Sequence, residues 1–201
     1  MDRLRPEHTA LLLVDLQRPY FDPASPVYLR GGEDLVARTI AFVDAARAAG
    51  ARVIWTATRL RPGVPVGRTT KRFPYKEANR DSWSDLADPI SVGSGDLLVH
   101  KPRHSAFYGT DLDPILRSLG CTDVVVAGIT SNVCCFATAL DAAARDYTVW
   151  WVEDLIMALP ISRPGFGLDG QAVHYNTSAM VAYSVGTVVR SHGVLTALAA
   201  G

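Results

Sequence analysis

Three residues suited to nucleophilic and acid–base chemistry, Asp15, Lys101 and Cys134, each follow a short apolar run of the sequence. A cysteine thiolate is a nucleophile, a carboxylate can take up its proton, and an ammonium group can hold that carboxylate ionised. Unbroken apolar runs predict strands buried in a parallel sheet, and ligands of open α/β sheets bind beyond the carboxyl ends of such strands. We therefore expect the three side chains to meet in one crevice.

The segment around Cys134 concentrates this chemistry. An apolar run over residues 124–127 ends at Gly128, and the small polar residues Ser131 and Asn132 can cap a helix over about residues 134–145. Cys134 is then predicted in the first helical turn, where free N–H groups and the helix dipole favour a thiolate and can stabilise an oxyanion.

Other interpretations apply to each of these residues. Free cysteines are often small buried hydrophobes, and we expect this of Cys121 and, with its side chain turned about 100° away around the helix, of Cys135. Asp15 can be a turn carboxylate, and a lysine at a strand exit, such as Lys101, is often a surface residue. The coincidence of strand, small-residue turn and helix start favours Cys134 as a nucleophile.

Two motifs resemble one known family. The segments GITSNVCCFATA, which contains Cys134, and KPRHSAFYGTDL, which begins at Lys101, are similar to the nucleophile and lysine segments of the isochorismatase-like cysteine hydrolases. These include nicotinamidases, N-carbamoylsarcosine amidohydrolases, biuret hydrolases and ureidoacrylate amidohydrolases. Ser131 stands where many members have threonine, and it keeps the hydroxyl.

The resemblance implies a mechanism and a fold. It implies that Asp15, Lys101 and Cys134 form a catalytic triad that cleaves a C–N bond of a small carboxamide, lactam or ureido compound through a thioester. It also implies an oxyanion site made by the backbone N–H groups of Thr130 and Cys134, with a cis peptide bond between Ile129 and Thr130. Two alternatives are vinyl-ether hydrolysis of an isochorismate-like compound and a non-catalytic binding or scaffold protein.

We expect neither a metal nor another cofactor. Nicotinamidases of this family bind a divalent ion through an Asp-x-His segment and a further histidine after the second strand. This chain reads TATRLRPGVPVG there and has no histidine between Asp15 and His100, so a site of that kind is not supported. The substrate is accordingly predicted to differ from nicotinamide.

Substrate contacts are predicted among aromatic and polar residues near the strand ends. The aromatic candidates can equally pack the core, an alternative that applies most to Phe21. The predicted substrate-binding residues are Gln17, Tyr20, Phe21, Trp83, Ser105, Phe107, Tyr108 and Asn132.

Apolar runs alternating with helical patterns predict a single α/β domain over residues 1–201, a three-layer sandwich with a mostly parallel, Rossmann-like sheet of about six strands. Residues 59–95 lack a regular period and are predicted to form a lid or an oligomer-contact loop. Predicted strands cover residues 9–16, 52–58, 96–100, 124–127, 148–152 and 187–190, and predicted helices cover 33–49, 111–119, 134–145 and 171–184.

The composition indicates which classes of partner and which cellular compartment to expect. Twenty acidic and twenty basic residues balance one another, which argues against nucleic-acid or membrane binding and favours a small molecule. Three cysteines do not form a disulfide framework, and the N-terminal segment lacks a signal-peptide core, so we expect a cytoplasmic protein.

Two further patterns and the assembly complete the predictions. The GxGxxG arrangement of residues 165–170 follows a proline-containing loop rather than a strand, so it is not interpreted as a dinucleotide site. His174 is expected to be a packing or surface residue, and Asp154 to have a structural role at the end of a strand.

We expect a homo-oligomer, a dimer or tetramer by the resemblance, with Phe73, Tyr75 or Trp83 near a subunit boundary.

Overall fold

The computed structural model describes residues 3–60, 68 and 85–201, and its centre is a six-stranded sheet. All five strand pairings in the sheet are parallel. Its strands are β1 (Thr9–Val14), β2 (Arg52–Thr58), β3 (Leu97–Lys101), β4 (Asp123–Ile129), β5 (Thr148–Met157) and β8 (Thr187–Val189), in the spatial order β3-β2-β1-β4-β5-β8. The chain moves outward from β1 in both directions, so the topological switch point lies between β1 and β4.

Helices cover both faces of the sheet. They are α1 (Gly32–Ala48), α2 (Leu112–Ser118), α3 (Phe136–Ala143), α4 (Gly170–Ser184) and α5 (Ser191–Ala199). Single turns of 3₁₀-helix span Pro6–His8 and Arg18–Tyr20, and a π-helical turn spans Ser131–Cys135. In residues 3–60 and 85–201, no helix has the length and apolar character needed to cross a bilayer.

The core lies in two layers, one on each face of the sheet. Leu11 and Leu13 of β1 belong to the layer that also holds side chains of α1 and α5, whereas Leu12 and Val14 belong to the layer shared with α2 and α3. Every residue of β1 is buried, as expected for a central parallel strand. The predicted three-layer α/β sandwich is therefore confirmed, with six strands that are all parallel.

Strand β5 is longer than the sequence predicts. The apolar run suggests an end at Val152, but β5 continues to Met157 across a register shift against β4 between Val126 and Gly128. Asp154 therefore lies inside the strand and not at its end. Its carboxylate accepts hydrogen bonds from the backbone N–H and the hydroxyl of Ser191, both at 2.7 Å, which is a structural role.

One helix and one β-hairpin near the C-terminal end are not predicted from the sequence. Helix α5 begins at Ser191, and its start is bonded by Asp154, a residue 37 positions away along the chain, so no local cap signals it. Strands β6 (Ile161–Arg163) and β7 (Phe166–Leu168) form an antiparallel hairpin. Gly165, with φ of +76°, lies in its turn, which accounts for a glycine of the GxGxxG pattern without a nucleotide.

Strands β1 and β4 approach each other closely at their carboxyl ends. Gly128 has φ of +121°, and a Cβ atom there would lie 2.1 Å from the carbonyl oxygen of Val14, so only glycine fits. The next residue of the β1 chain, Asp15, also has a positive φ of 50°, a conformation that aspartate tolerates better than most residues. This approach brings the chain of Asp15 next to the chain that leads to Cys134.

A buried carboxylate fixes the start of β3, the strand that ends in Lys101. Asp96 accepts hydrogen bonds from Arg47 Nη2 at 2.7 Å, from Trp55 Nε1 at 2.9 Å and from the backbone N–H of Gly93 at 3.0 Å. These partners belong to α1, to β2 and to the loop before β3. Asp96 therefore holds β3 in place against its neighbours.

Most of the predicted loop over residues 59–95 lies outside the described residues, including Phe73, Tyr75 and Trp83. Its described ends are bonded to the sheet. The Arg59 N–H donates to the Lys101 carbonyl at 3.0 Å, and the Ala87 N–H donates to the Leu16 carbonyl at 2.9 Å. The segment therefore leaves and rejoins the sheet beside the carboxyl ends of β3 and β1.

Candidate active site

The structure brings together the three residues that the sequence singles out. Lys101 Nζ lies 2.7 Å from Asp15 Oδ2, and the two side chains are 0% and 1% exposed. Cys134 is 2% exposed, and its side chain accepts a hydrogen bond from the Lys101 ammonium. Asp15 and Lys101 therefore form a buried ion pair directly beside the cysteine.

This arrangement keeps Lys101 charged despite its burial. Burial lowers the pKa of its ammonium, but the opposing effects of Asp15 and Cys134, through charge and hydrogen bonds, raise that pKa above the ordinary value. The lysine is consequently a permanent positive charge at neutral pH. It lies beside both the Asp15 carboxylate and the Cys134 sulfur.

Thr58, at the end of β2, connects the two charged residues and is missed by the sequence analysis. Its hydroxyl accepts a hydrogen bond from Lys101 Nζ and donates one to Asp15 Oδ2, both at 3.0 Å. Gln17 holds Thr58 in place through both ends of its amide. Its Nε2 donates to the Thr58 carbonyl and its Oε1 accepts from the Thr58 N–H, again at 3.0 Å.

The two oxygens of the Asp15 carboxylate differ in their surroundings. Oδ2 receives the Lys101 ammonium and the Thr58 hydroxyl. Oδ1 is buried and has no hydrogen-bond partner among residues 3–60, 68 and 85–201. A buried carboxylate oxygen without a hydrogen-bond partner keeps lone pairs that can accept a proton.

Cys134 lies in a π-helical turn, which is wider than the predicted α-helical first turn. Residues Ser131–Cys135 form a π-helical turn that precedes α3, and the Thr130 carbonyl accepts from the N–H groups of both Val133 and Cys135, at 3.2 Å each. Neither Ser131 nor Asn132 is the N-cap, which is Thr130 and has no side-chain cap bond. The peptide bond between Ile129 and Thr130 is cis.

His104 is a second residue that the sequence analysis does not find. Its Nδ1 lies 3.8 Å from Cys134 Sγ, within reach of a hydrogen bond to sulfur. The imidazole is half-buried, three residues beyond Lys101. The contact joins residues 30 positions apart in sequence, so no local pattern announces it.

The other two cysteines lie in surroundings that disfavour a thiolate. Burial raises the pKa of the Cys135 thiol well above its ordinary value, and the nearby Cys134 and Asp15 raise it further. Burial also raises the pKa of Cys121. No disulfide bond joins the three cysteines. Cys121 and Cys135 belong to the core layer shared with α2 and α3, which matches their predicted packing roles.

Several predicted substrate-binding residues occupy packing positions. Tyr20 is buried in the core, Phe21 packs against the same layer, and Phe107 packs against Tyr147 with ring centroids 6.0 Å apart. The Ser105 hydroxyl accepts from the Phe107 N–H at 3.1 Å. Tyr108 is 61% exposed.

The remaining candidates divide between the site and its surroundings. Asn132 is half-buried in the π-helical turn, and Gln17 is buried behind Thr58, as described. Trp83 lies outside the described residues. Within the described ranges, no group of three His, Cys, Asp or Glu side chains could hold a metal ion.

A cavity of about 910 Å³ lies away from the ion pair. It adjoins the carboxyl end of β5 and the starts of α1 and α4, and Arg38, Glu153, His174 and Arg190 are among its lining residues. His174 is half-buried, and burial lowers its pKa. None of the three residues of the ion pair and nucleophile lines this cavity.

The chain is similar to known proteins in sequence and in structure. The sequence profile of the Isochorismatase domain matches residues 9–169. The ureidoacrylate amidohydrolase RutB of Methylobacterium radiotolerans is 37% identical over 171 residues, which are 72% of this chain and 65% of that relative. The chain thus spans just under two thirds of this relative's length.

Two solved structures are similar over nearly their full length. A cysteine hydrolase from Pseudomonas syringae pv. phaseolicola superposes with a TM-score of 0.94 at 27% identity, covering 100% of this chain and 96% of that one. N-carbamoylsarcosine amidase from Thermoplasma acidophilum superposes with a TM-score of 0.73 at 27% identity, covering 91% and 96%. The chain therefore belongs to the isochorismatase family.

Proposed function

We propose that this protein is a cysteine-dependent amidohydrolase that cleaves a C–N bond of a small carboxamide, lactam or ureido compound. The observation that carries the proposal is the buried ion pair of Asp15 and Lys101 beside the Cys134 thiol. A buried ion pair adds little to stability by itself, so its position beside a nucleophile suggests a chemical use. The relatives named as an amidohydrolase and an amidase support the same reaction class.

The reaction begins with a proton transfer. Asp15 Oδ1 takes the proton of the Cys134 thiol, and the thiolate attacks the carbonyl carbon of the substrate. Lys101 Nζ pairs with the Asp15 carboxylate at 2.7 Å and orients it, and its ammonium also faces the sulfur. The resulting oxyanion is held by the backbone N–H groups of Thr130 and Cys134.

Two bond cleavages then complete the reaction. Asp15 gives its proton to the departing nitrogen, so the C–N bond breaks and an acyl thioester remains on Cys134. Water attacks the thioester carbon, Asp15 takes up a proton from it, and the C–S bond breaks to release the acid. Asp15 then returns that proton to the Cys134 sulfur, which restores the starting thiol and carboxylate. Asn132 and Tyr108 are the predicted substrate-binding residues that we propose as contacts, because neither side chain is fully buried.

A substrate panel tests this function. We expect ammonia or amine release from one or more ureido acids, such as ureidoacrylate and N-carbamoylsarcosine, or from small carboxamides and lactams. Activity should persist after chelation, since the residues suggest no metal. Turnover of an isochorismate-like vinyl ether alone would support the alternative reaction, and no turnover of any compound would favour a binding or scaffold protein.

Thr58 offers a sharp test of the bridge within the ion pair. The substitution Thr58→Val keeps the side-chain shape but removes the hydroxyl that bonds Lys101 and Asp15. Loss of a buried hydrogen bond to a charged group costs about 1–3 kcal/mol, so we expect kcat to fall about 10- to 100-fold with KM little changed. Steady-state kinetics on the best substrate of the panel measures both constants.

Thr56 supplies the matched control for this experiment. It lies two residues earlier on β2, is equally buried, and its hydroxyl has no hydrogen-bond partner within the described part of the chain. The variant Thr56→Val should therefore keep kcat within about twofold of the wild type. Equal kinetics for the two variants would show that the Thr58 hydroxyl does not support the ion pair.

We also propose that the protein is a cytoplasmic homo-oligomer. Three cysteines without a disulfide bond suit a reducing compartment. Large side chains of α4 are exposed, among them Tyr175 and Tyr183 at 75% and 91%, and exposed aromatic residues commonly mark contact surfaces. Light scattering at micromolar concentration should give a multiple of the 21.7 kDa chain mass. A monomer mass would contradict the proposal.

A further inference from the structure

We propose that His104 is a further catalytic residue, which donates a hydrogen bond to the Cys134 thiolate. Its place in catalysis rests on the function proposed above, but the contact itself does not. Cys134 then has two donors, the fully buried Lys101 ammonium and the half-buried His104 imidazole. Together they stabilise the negative sulfur when Asp15 takes its proton.

The geometry supports this contact. The separation of 3.8 Å between His104 Nδ1 and Cys134 Sγ suits a hydrogen bond to sulfur, whose large radius lengthens such bonds. Cys134 is almost fully buried, whereas the imidazole is half-buried. A neutral imidazole with its proton on Nδ1 is a donor toward the sulfur, so no proton needs to leave or join the ring.

The segment that carries His104 is fixed on both sides. Lys101 lies three residues before His104, and its Nζ donates to the Arg103 carbonyl at 3.1 Å. The Ala106 N–H, two residues later, donates to the hydroxyl of Thr138 on α3 at 3.1 Å. These bonds tie the segment both to the ion pair and to the helix that follows Cys134, so the imidazole is held near the sulfur and does not hang from a free loop.

The charged and titratable groups around the sulfur leave a role for a neutral donor. Asp15 and Lys101 form one ion pair, the Arg103 guanidinium turns to the Pro102 carbonyl at 2.8 Å, and the Cys135 thiol has a raised pKa. The positive charge of Lys101 is thus shared between the Asp15 carboxylate and the sulfur. A donor that serves the sulfur without competing for Asp15 increases the thiolate fraction.

Alkylation by iodoacetamide tests the inference without any substrate. The rate at Cys134 is followed between pH 5 and 10, and fragmentation mass spectrometry separates its label from those of Cys135 and Cys121. In His104→Phe the half-maximal point should move up by about one pH unit, which slows labelling at pH 7 about tenfold. In His104→Asn, whose amide N–H can replace the Nδ1 donor, most of the wild-type rate should remain.

His100 provides the matched control, because it lies on the same segment and has no contact with Cys134 among the described hydrogen bonds. The variant His100→Asn should give the wild-type labelling profile. A wild-type profile for His104→Phe would overturn the inference, and so would equal slowing of the Phe and Asn variants at residue 104. Slow labelling of His104→Phe together with an inactive substrate panel would uphold this contact and refute only the proposed reaction.

Discussion

The substitution Cys134→Ala is expected to abolish amidohydrolase turnover, with a loss in kcat on the order of 10⁴-fold or more. Alanine keeps the backbone turn but removes the sulfur on which the proposed thioester would form. The substitution leaves the ion pair of Asp15 and Lys101 and its hydrogen bond to Thr58 in place. Neither of these side chains takes over the role of the sulfur as the proposed nucleophile. The rate of ammonia or amine release from the best substrate measures the effect.

Cys135→Ala is the control for this substitution. The Cys135 thiol is fully buried with a raised pKa, and it packs in the core, so its loss should cost about 1 kcal/mol of folding free energy and leave kcat within about threefold of the wild type. Retained activity in Cys134→Ala would rule out thioester chemistry at this residue. Loss of activity only in Cys135→Ala would identify the neighbouring cysteine as the nucleophile.

Lys101→Met should have the second largest effect, on stability as well as on turnover. Methionine fills similar space but leaves the Asp15 carboxylate buried without its counter-charge. Breaking a buried ion pair in this way costs about 3–5 kcal/mol. Because the ammonium that orients the proposed proton acceptor and faces the sulfur is lost, kcat should fall about 10³-fold. Urea unfolding and steady-state kinetics measure the two effects.

The double variant Asp15→Asn/Lys101→Met separates the two contributions. It contains no unpaired buried charge, so its free energy of unfolding should exceed the value expected from adding the two single losses. Its turnover should stay as low as that of Lys101→Met, since the proton acceptor is also gone. Additive losses of stability would show that the two side chains do not interact as the structure has them.

The raised pKa of Lys101 also predicts that the stability of the wild type and of Lys101→Met depends differently on pH. A group whose pKa is higher in the folded state contributes its full stabilisation below the unfolded value, and the contribution disappears as pH rises through the folded value. For Lys101 this window begins above the ordinary lysine value of 10.5. The wild type should therefore lose stability at alkaline pH more steeply than Lys101→Met does.

The sheet and the three reactive residues could be predicted because their signals are local. Apolar runs mark β1, β2 and β4. Asp15 directly follows β1, Lys101 is the last residue of β3, and Cys134 lies in the turn after β4. The carboxyl ends of parallel strands meet at one edge, so a short pattern is sufficient to bring distant residues together. The boundaries of β1, β2 and β3 consequently lie within two residues of their predicted positions.

Thr58 and His104 could not be predicted because their roles depend on contacts across the fold. A threonine at the end of a strand is typical of β-structure, and only the positions of Asp15 and Lys101 show that its hydroxyl bridges them. Gln17 is predicted from the sequence to contact the substrate, but both ends of its amide bond the backbone of Thr58. Helix α5 could not be predicted for the same reason, because its first residue is bonded by Asp154 of β5, which is remote in sequence.

The most direct test of the central claim is mass spectrometry of the intact protein, acid-quenched during the first turnover of the best substrate. We predict a mass increase equal to the acyl part of the substrate, the substrate less its departing amine, and fragmentation should place it on Cys134. The adduct should be absent in Cys134→Ala. Full turnover with no adduct, or an adduct on Cys135 or any other residue, would contradict the account.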